Sequence, residues 1–439
     1  MSADLTSVGE LTRVGSLTPV EHPTFLVLGA GSRGTTYADH LAAHPEQGEV
    51  MAVAEPDPYR RAAFAQRHGL PAERVFSSWQ DALAAPRLAD AVTVTTQDSD
   101  HVGPALAAAA KGYHVLLEKP IAPTEAETRR LVESVQAAGV LLAVCHVLRY
   151  TPHTIALMQL LEAGAIGDVM SIEHLEPVGW WHAAHSFVRG NWRNEEISSP
   201  MLLAKSCHDL DWLLAVAGRP CERVSSFGSL GHFTRAHQPA GAADRCLECP
   251  SHIESACPYS ARRIYLGALE RGETGWPVNV ITDDVSREGV LGALEHGPYG
   301  RCVYACDNDV VDHQVVLMEF EGGLTASFTM TAFSTMRGRN TRIFGTHGEI
   351  TTDSRVITVD DFRTGERRVI DTDVNADEGA AGGHGGGDAG LMTAFTSALR
   401  HGDPSLLPST AEESLRSHLM VFAAERARRS GTVEVVPKS

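Results

Sequence analysis

The sequence has no block of lysine and arginine residues, and its 37 basic residues are outnumbered by 55 aspartate and glutamate residues. The formal net charge is therefore −18. Nucleic acids and other polyanions are bound by clustered positive charge, which this chain lacks. We expect no nucleic-acid partner.

Long apolar runs are also missing, since no segment approaches the roughly 18 to 20 consecutive apolar residues of a membrane helix. Residues 1–22 lack the basic and apolar regions of an export signal, and we expect them to form a flexible arm. We therefore expect no membrane partner and a cytoplasmic location. There the eight cysteines are more consistent with reduced thiols or a metal than with disulfides.

The chain of 439 residues exceeds one ordinary hydrophobic core, so at least two domains are expected. We predict a cofactor-binding domain at residues 23–150 and a substrate domain at residues 151–408, with an insertion at about 232–300. Residues 409–439 are predicted to form a C-terminal helix and tail that pack on the first domain.

A glycine-rich turn follows the first apolar run, Phe25 to Leu28, which has the continuous character of a buried parallel strand. Gly29, Gly31 and Gly34 have the spacing G-x-G-x-x-G. In this pattern the glycines allow a tight turn, close approach of a pyrophosphate, and close packing of helix on strand. The position between a predicted strand and a predicted helix indicates a dinucleotide site.

Glu55 ends the second predicted strand, where a carboxylate suits a ribose 2′-hydroxyl and favours NAD over NADP. Arg60 and Arg61 lie nearby in the sequence and would suit a 2′-phosphate, so NADP remains the alternative.

Strands and helices alternate up to residue 150, which predicts an α/β domain with a doubly wound parallel sheet, the Rossmann fold. The residues predicted to bind the cofactor lie in and after its turns: Gly29, Gly31, Ser32, Arg33, Gly34, Glu55, Thr95, Thr96, His101, Glu118 and Lys119.

The triplet Glu118-Lys119-Pro120 lies at the carboxyl end of a predicted strand, where open α/β sheets bind ligands. With the glycine turn and Arg149 in "HVLRYTPH", it resembles the glucose–fructose oxidoreductase, inositol dehydrogenase and MocA (Gfo/Idh/MocA) family over nearly the whole chain. The resemblance implies that Lys119 lies beside the nicotinamide and hydrogen-bonds the substrate hydroxyl. The alternative is a solvated lysine at a strand end.

The same resemblance implies a C-terminal α/β domain with a large, open, mostly antiparallel sheet, and assembly as a homodimer or homotetramer. Alternating, β-branched segments between residues 168 and 360 agree with such a sheet.

The segment "GWWHAAHSFVRGNWRN" carries His182, His185, Arg189 and Trp192, a mixture that suits a polyhydroxylated or acidic ligand. We predict that these residues bind substrate together with Arg149 and His384. The alternative is a surface loop that its tryptophans anchor to the core.

The apolar segment "MLLAKSCHDLDWLL" predicts a helix over residues 201–214 that carries His208. The family resemblance implies that His208 is the general acid/base, but Ala204 replaces the usual Asp four residues before it. Lys205 then has two candidate roles. It either holds the imidazole neutral by repulsion and desolvation, as a third catalytic residue beside Lys119 and His208, or it pairs with Asp209 at i+4.

Cys246, Cys249 and Cys257 form a C-x2-C-x7-C set, which suits a tetrahedral structural zinc with Cys302, Cys306 or His252 as fourth ligand. The spacing fits an iron–sulfur cluster poorly. Free or paired thiols are the alternative.

His384 stands in "GGHGGGD", a run similar to a motif of NAD-dependent glycoside hydrolases that share this fold; a flexible linker is the alternative. The chain is thus predicted to be an NAD-dependent oxidoreductase of a sugar, cyclitol or sugar derivative. The second candidate is an NAD-dependent glycoside hydrolase or lyase that works by transient C3 oxidation, elimination and re-reduction. A nucleotide-binding regulator without turnover is the third.

Overall fold

A computed structural model describes residues 17–336, 338–372 and 384–439. Most of the predicted N-terminal arm, residues 1–16, and the first part of the glycine-rich segment, residues 373–383, lie outside the described residues.

The first domain is built on a six-stranded sheet in the order β3-β2-β1-β4-β5-β6, and every neighbouring pair is parallel. Its strands are β1 (Thr24–Leu28), β2 (Glu49–Ala54), β3 (Val75–Phe76), β4 (Ala91–Val94), β5 (His114–Leu117) and β6 (Leu142–Val144). The connecting helices are α1 (Ser32–Ala43), α2 (Pro58–Arg67), α3 (Trp79–Ala84), α4 (Val102–Ala110) and α5 (Glu125–Ala138). The predicted doubly wound sheet is confirmed.

Side-chain caps start several of these helices: Asp57, Ser78 and Thr124 each accept a hydrogen bond from a backbone N–H in the first turn of α2, α3 and α5. Helix α1 differs, because its N-cap is Gly31, which has no side chain. Its first N–H groups are therefore left for another acceptor.

The second domain contains a nine-stranded sheet in the order β14-β13-β12-β11-β7-β10-β9-β8-β15. Its strands are β7 (Val169–Pro177), β8 (Cys221–Ser229), β9 (His313–Phe320), β10 (Thr325–Thr331), β11 (Asn340–Gly345), β12 (Gly348–Thr352), β13 (Val356–Asp361), β14 (Arg367–Asp371) and β15 (Glu434–Val435). The pair β7 and β10 is parallel and the other pairs are antiparallel, which confirms the predicted mostly antiparallel sheet.

The last of the alternating segments, residues 349–360, is a hairpin in the structure and not one strand. The segment from 349 to 360 forms β12 and β13, joined by a turn in which Ser354 has a φ of 77°. A residue in the left-handed region ends an extended run, so the alternation that continues across it belongs to two strands.

The remaining helices are α6 (Pro152–Glu162), α7 (Trp180–Ala183), α8 (Met201–Ala204), α9 (Cys207–Ala217), α10 (Ser251–Glu254), α11 (Gly267–Glu270), α12 (Val278–Ile281), α13 (Arg287–His296), α14 (Gly387–His401) and α15 (Ala411–Ser430). Four of them, α10 to α13, lie in the insertion between β8 and β9. None of the helices in the described part of the chain has the length and apolar character needed to cross a bilayer.

Helix α14 packs against the first domain. Leu391, Met392 and Phe395 are each 0% exposed and share one core with Phe25 and Tyr37 of the first domain. Residues 387–401 therefore pack on the first sheet, although they lie inside the predicted substrate domain. Helix α15 contacts α5 and β6 of the first domain as well as α9 and β8 of the second.

We expect Phe395→Ala to lower the free energy of unfolding by about 3 to 5 kcal/mol, because the ring is fully buried against Phe25, at 6.2 Å between centroids. Urea denaturation followed by fluorescence measures the change. Phe362→Ala, which alters a side chain that is 62% exposed, is the control and should leave the midpoint nearly unchanged. Equal effects of the two substitutions would contradict the placement of α14.

Candidate active site

The turn between β1 and α1 contains two crowded glycines and one open one. Gly29 has a φ of 98°, and a Cβ there would lie 2.6 Å from the Thr95 carbonyl oxygen. A Cβ at Gly34 would clash with the Gly29 carbonyl oxygen, so both positions require glycine. At Gly31 a Cβ would have no heavy atom within 4 Å. This open space adjoins the amino end of α1, an arrangement that suits a pyrophosphate.

Glu55 lies at the end of β2 and is only 6% exposed. Its carboxylate accepts hydrogen bonds from the backbone N–H groups of Ala30 at 2.7 Å and Asp57 at 2.9 Å. Arg61 is engaged with the Glu55 backbone carbonyl at 2.6 Å, and Arg60 is exposed. An anchored carboxylate at this edge suits a ribose hydroxyl better than a phosphate.

A charged network joins α1, the Glu-Lys-Pro triplet and the start of α14. Arg33 donates to Glu118 at 2.7 Å and to Asp388 at 2.5 Å, and the Tyr37 hydroxyl donates to Glu118 at 2.7 Å. Burial opposes ionisation of Glu118, but the contacts with Arg33 and Tyr37 hold its pKa below the ordinary value. His384 Nδ1 lies 3.2 Å from Asp388, so the network also fixes His384.

Lys119 crosses from the first domain to the second, where its Nζ donates to the backbone carbonyl of Ala204 at 2.5 Å. This carbonyl is available because the helix predicted over residues 201–214 is broken, with α8 ending at Ala204 and α9 beginning at Cys207. In an unbroken helix it would accept from the N–H of His208, four residues later. The break therefore brings Lys119 within a helical turn of His208.

His208 is 6% exposed, and its buried Nδ1 has no hydrogen-bond partner among the described residues. Its ring centroid lies 5.9 Å from that of His146 and 6.0 Å from that of His384. Burial, the charge of Lys119 and these two rings hold the pKa of His208 well below its ordinary value. The imidazole is thus neutral at pH 7 and able to accept a proton.

Lys205 pairs with a residue other than Asp209. Its Nζ pairs with Glu176 at 3.3 Å, and the i+4 pair with Asp209 is lost because the helix breaks between the two residues. After burial, the charge of Lys119 contributes most to the lowered pKa of His208.

Arg339 completes the cluster around Lys205. Its Nε lies 3.0 Å from Glu176 and 2.5 Å from Asp209, which also accepts from His174 Nε2 at 3.1 Å. Burial opposes ionisation of Asp209, but Arg339 and His174 hold its pKa below the ordinary value. Two buried carboxylates therefore fix two cations at this side of the site.

The ring of His182 lies among other aromatic rings. The rings of Trp181 and Trp276 lie 4.8 Å apart, and Trp276 stands perpendicular to His182 at 5.0 Å. Burial and the charge of Lys205 hold the pKa of His182 well below its ordinary value, so this ring lies within electrostatic reach of the lysine. Trp276 is 43% exposed and offers an apolar surface to a ligand.

Arg149, predicted to bind substrate, is bound by the protein itself. Its Nε and Nη2 donate to the two carboxylate oxygens of Asp211 at 2.6 and 2.9 Å, and its Nη1 donates to the Pro408 carbonyl at 3.0 Å. The guanidinium thus fastens α9 to the end of the first domain.

Arg189, also predicted to bind substrate, is 0% exposed. It donates to the backbone carbonyls of Arg301 and Tyr259, each at 2.7 Å. The residue lies on a buried π-helical turn, Ala184–Arg189, that packs under the insertion. Arg189 therefore holds the insertion in place and has no surface for a ligand.

His185 and Trp192 are likewise turned inward. His185 is 2% exposed and bonds the Tyr265 hydroxyl at 2.8 Å, and Trp192 Nε1 donates to Asp98 at 3.1 Å. The contact of Trp192 with buried Asp98 agrees with the alternative interpretation, in which the tryptophans of this segment anchor it to the core.

The cysteines do not form the predicted zinc site. Across the described part of the chain, which includes Cys246, Cys249 and Cys257, no three His, Cys, Asp or Glu side chains are placed to hold a metal ion. All eight cysteines are free thiols, and Cys246 Sγ lies 3.5 Å from Arg189 Nη2. A permanent cation beside the thiols disfavours a divalent metal there.

The other predicted cofactor residues mostly shape their own turns. Thr95, Thr96 and His101 bond backbone carbonyl groups of the segments after β1, β4 and β5, at 2.7 to 3.2 Å. Ser32 is exposed at the first position of α1, beside the open space at Gly31.

Five residues of the site were not predicted from the sequence: Glu176, Arg339, His146, Trp181 and Trp276. The tryptophan doublet in "GWWHAAH" and a charged residue in the buried strand β7 were usable signals for Trp181 and Glu176. Arg339 and Trp276 carry no local signal, because only the fold brings them to the site.

Two family models match the chain. One, described as "Oxidoreductase family, NAD-binding Rossmann fold", matches residues 24–146, and the other, "Oxidoreductase family, C-terminal alpha/beta domain", matches residues 158–436.

Two curated relatives illustrate the range of matching proteins. Inositol 2-dehydrogenase of Leifsonia xyli is 30% identical over 202 residues, which cover 45% of this chain and 54% of that protein. The 2,7-anhydro-N-acetylneuraminate hydratase of Escherichia coli is 27% identical over 207 residues, which cover 47% and 53%. The chain spans about half the length of these curated relatives.

Solved structures share the fold over almost the whole chain. Levoglucosan dehydrogenase, in complex with NADH and levoglucosan, has a TM-score of 0.67 at 17% identity and covers 95% of this chain and 100% of that one. An oxidoreductase from Agrobacterium radiobacter, in complex with NAD+, L-tartaric acid and magnesium, has a TM-score of 0.69 at 14% identity and covers 95% and 99%.

We expect Gly31→Val to weaken NADH binding by about tenfold or more, since the side chain would fill the open space at the turn. The melting temperature should stay unchanged, because a Cβ at this position meets no protein atom within 4 Å. Fluorescence titration measures the affinity. The control is Gly292→Val, another open glycine on a distant helix, which should bind like wild type. Unaltered binding by Gly31→Val would contradict the site.

Proposed function

We propose, from the premise that this chain belongs to the Gfo/Idh/MocA oxidoreductase family, that it oxidises a hydroxyl group of a sugar, cyclitol or sugar derivative with NAD. One observation carries the proposal: Lys119 of the first domain and the neutral His208 of the second meet beside the carboxyl edge of the parallel sheet.

The first domain fits the cofactor. The space at Gly31 and the uncapped start of α1 would hold the pyrophosphate, and the anchored Glu55 would accept from the ribose hydroxyl groups. Glu55 is our reason for proposing NAD rather than NADP. When bound, NAD supplies the hydride acceptor for the reaction.

Lys119 and His208 have different roles at the substrate hydroxyl. Lys119 donates a hydrogen bond to its oxygen and lowers the cost of developing negative charge there. His208 accepts its proton, which requires a neutral ring. Lys205, held by Glu176, donates to another oxygen of the substrate.

The aromatic edge supports a ring-shaped, polyhydroxylated substrate. Trp181 and Trp276 present indole surface beside His182, and apolar C–H faces of sugar rings stack on such surfaces. Inositol 2-dehydrogenase and levoglucosan dehydrogenase are named for substrates of this kind.

A second function, an NAD-dependent glycoside hydrolase or lyase, is favoured by His384. Its ring lies 6.0 Å from that of His208, and Asp388 holds it in place. Oxidation, elimination and re-reduction of a glycoside need a second acid/base for the carbon-bound proton and the leaving group. The matching hydratase from Escherichia coli is a relative whose name describes addition of water.

A panel of cyclitols, sugars and p-nitrophenyl glycosides, supplied with NAD, distinguishes the two functions. We expect stoichiometric NADH, followed at 340 nm, without release of p-nitrophenol. Release of p-nitrophenol without net NADH would overturn the dehydrogenase in favour of the glycosidase. Lys119→Ala should abolish either activity while binding NADH normally, since it removes the donor to the reacting oxygen.

We also propose that the chain assembles through the outer face of the second sheet. This face exposes Phe227 of β8 and Leu317 of β9, at 66% and 47%, and a second copy would cover such apolar surface.

The pH profile of oxidation tests the state of His208. Protonation of this ring removes the proton acceptor. Because the pKa of His208 is depressed, the ring becomes protonated only at a pH below about 6.5, the ordinary pKa of histidine. We expect kcat/KM to stay constant as the pH falls through about 6.5 and to decline only in more acidic buffer. His208→Asn should lose about 100-fold or more in kcat. A decline centred at or above pH 6.5 in the wild type would contradict the assignment.

A further inference from the structure

Position 204, which holds the carboxylate partner of the histidine in the resembling family, is alanine here, yet His208 has a buried carboxylate close by. Asp211 lies three residues further along α9 and is 0% exposed. The two side chains are separated by one residue from another part of the chain, His146, which follows β6.

His146 is an unexplained buried group. It is 0% exposed, and neither of its ring nitrogens has a hydrogen-bond partner among the described residues. A buried polar atom without a partner destabilises the folded state, so a retained one calls for a function. His208 Nδ1, in the neighbouring ring, is unpartnered as well.

His146 has Asp211 and His208 as neighbours. His146 Nε2 lies 3.8 Å from Asp211 Oδ1, just beyond hydrogen-bond length. On its other side, the His146 ring meets the His208 ring edge-on, at 81° and 5.9 Å between centroids. His146 is therefore in contact with both the carboxylate and the imidazole of α9.

The other histidine beside His146 already has hydrogen-bond partners for both of its ring nitrogens. His418, at 5.5 Å, bonds the Ser414 carbonyl through Nδ1 and accepts from the Ile121 N–H through Nε2. The charged groups that act on His146 come from three parts of the fold and are Asp211, Arg149, Lys119 and Glu118. Among the carboxylates of the described residues, Asp211 is the one within 4.0 Å of a His146 ring nitrogen, at 3.8 Å.

We propose that His146 and Asp211 together replace the missing carboxylate at position 204, with His146 as the positioning residue for His208. His146 donates a hydrogen bond from its Nε2–H to Asp211, and its bare Nδ1 accepts a hydrogen bond from the Nδ1–H of His208. His208 Nε2 is then left bare toward the substrate hydroxyl, whose proton it takes. The positive charge that forms on His208 is balanced by Asp211 through His146.

The inference rests on the proposed oxidoreductase function for its kinetic effect, but the tautomer of His208 can be measured without turnover. Long-range 1H–15N spectra of the NADH-bound, histidine-labelled full chain report it, and the signal lost in His208→Gln assigns it. We expect a single tautomer, protonated at Nδ1, in wild type and a mixture in His146→Leu. An unchanged tautomer in His146→Leu would overturn the proposal even if no substrate is found.

Kinetics with a substrate that turns over supply the second readout. His146→Leu should lower kcat by about 100-fold with little change in KM, because the acceptor for the His208 proton is removed. His146→Gln, which keeps a donor and an acceptor, should restore kcat to within about tenfold of wild type. His153→Gln, at a buried histidine bonded to Thr352 in the second domain, is the matched control and should behave like wild type.

A purely structural role gives a different pattern. His146→Leu would then lower the melting temperature and the NADH affinity. The tautomer of His208 would not change, and His146→Gln would not restore kcat. That pattern, or a wild-type kcat in His146→Leu, would refute the proposal.

Discussion

The hydrogen bond from Lys119 Nζ to the Ala204 carbonyl couples the two domains, and it depends on the break between α8 and α9. A helix uses its own carbonyl groups, so a lysine from another domain binds one only where the helix is interrupted. Seven residues after Ala204, Asp211 on α9 accepts two hydrogen bonds from Arg149 of the first domain. Two contacts from the first domain thus set where α9 stands and where it directs His208.

The buried charges of the site follow one rule. Glu118 pairs with Arg33, Asp209 with Arg339 and Asp211 with Arg149. In each case burial opposes ionisation, but the arginine together with the other hydrogen bonds and charges at the carboxylate holds its pKa below the ordinary value. The buried Cys207 thiol stays protonated, because burial raises its pKa to about 12. Neutral histidines are then the groups of this cluster best suited to exchange a proton near neutral pH.

Much of this arrangement could be predicted from local sequence. Strand alternation, the glycine turn and the triplet are short-range patterns, and each lies where expected because a parallel sheet brings its strand ends to one edge. The predictions failed where a side chain's partner is distant in sequence. Arg189 is chemically suited to a ligand, but the carbonyls it binds lie 70 and 112 residues away. The helix break leaves no signature either, because Lys205-Ser206 contains neither proline nor glycine.

Arg189 has a consequence for the history of the insertion. The buried guanidinium of Arg189 needs the carbonyl groups of Tyr259 and Arg301 as acceptors. Without Arg189, these two carbonyl groups would lose the N–H donors that it supplies. The insertion is therefore not an independent module that recombination could add or remove in one step. A protein engineer who grafts it onto a relative must transfer the supporting turn with it, and natural variants that lose one should lose both.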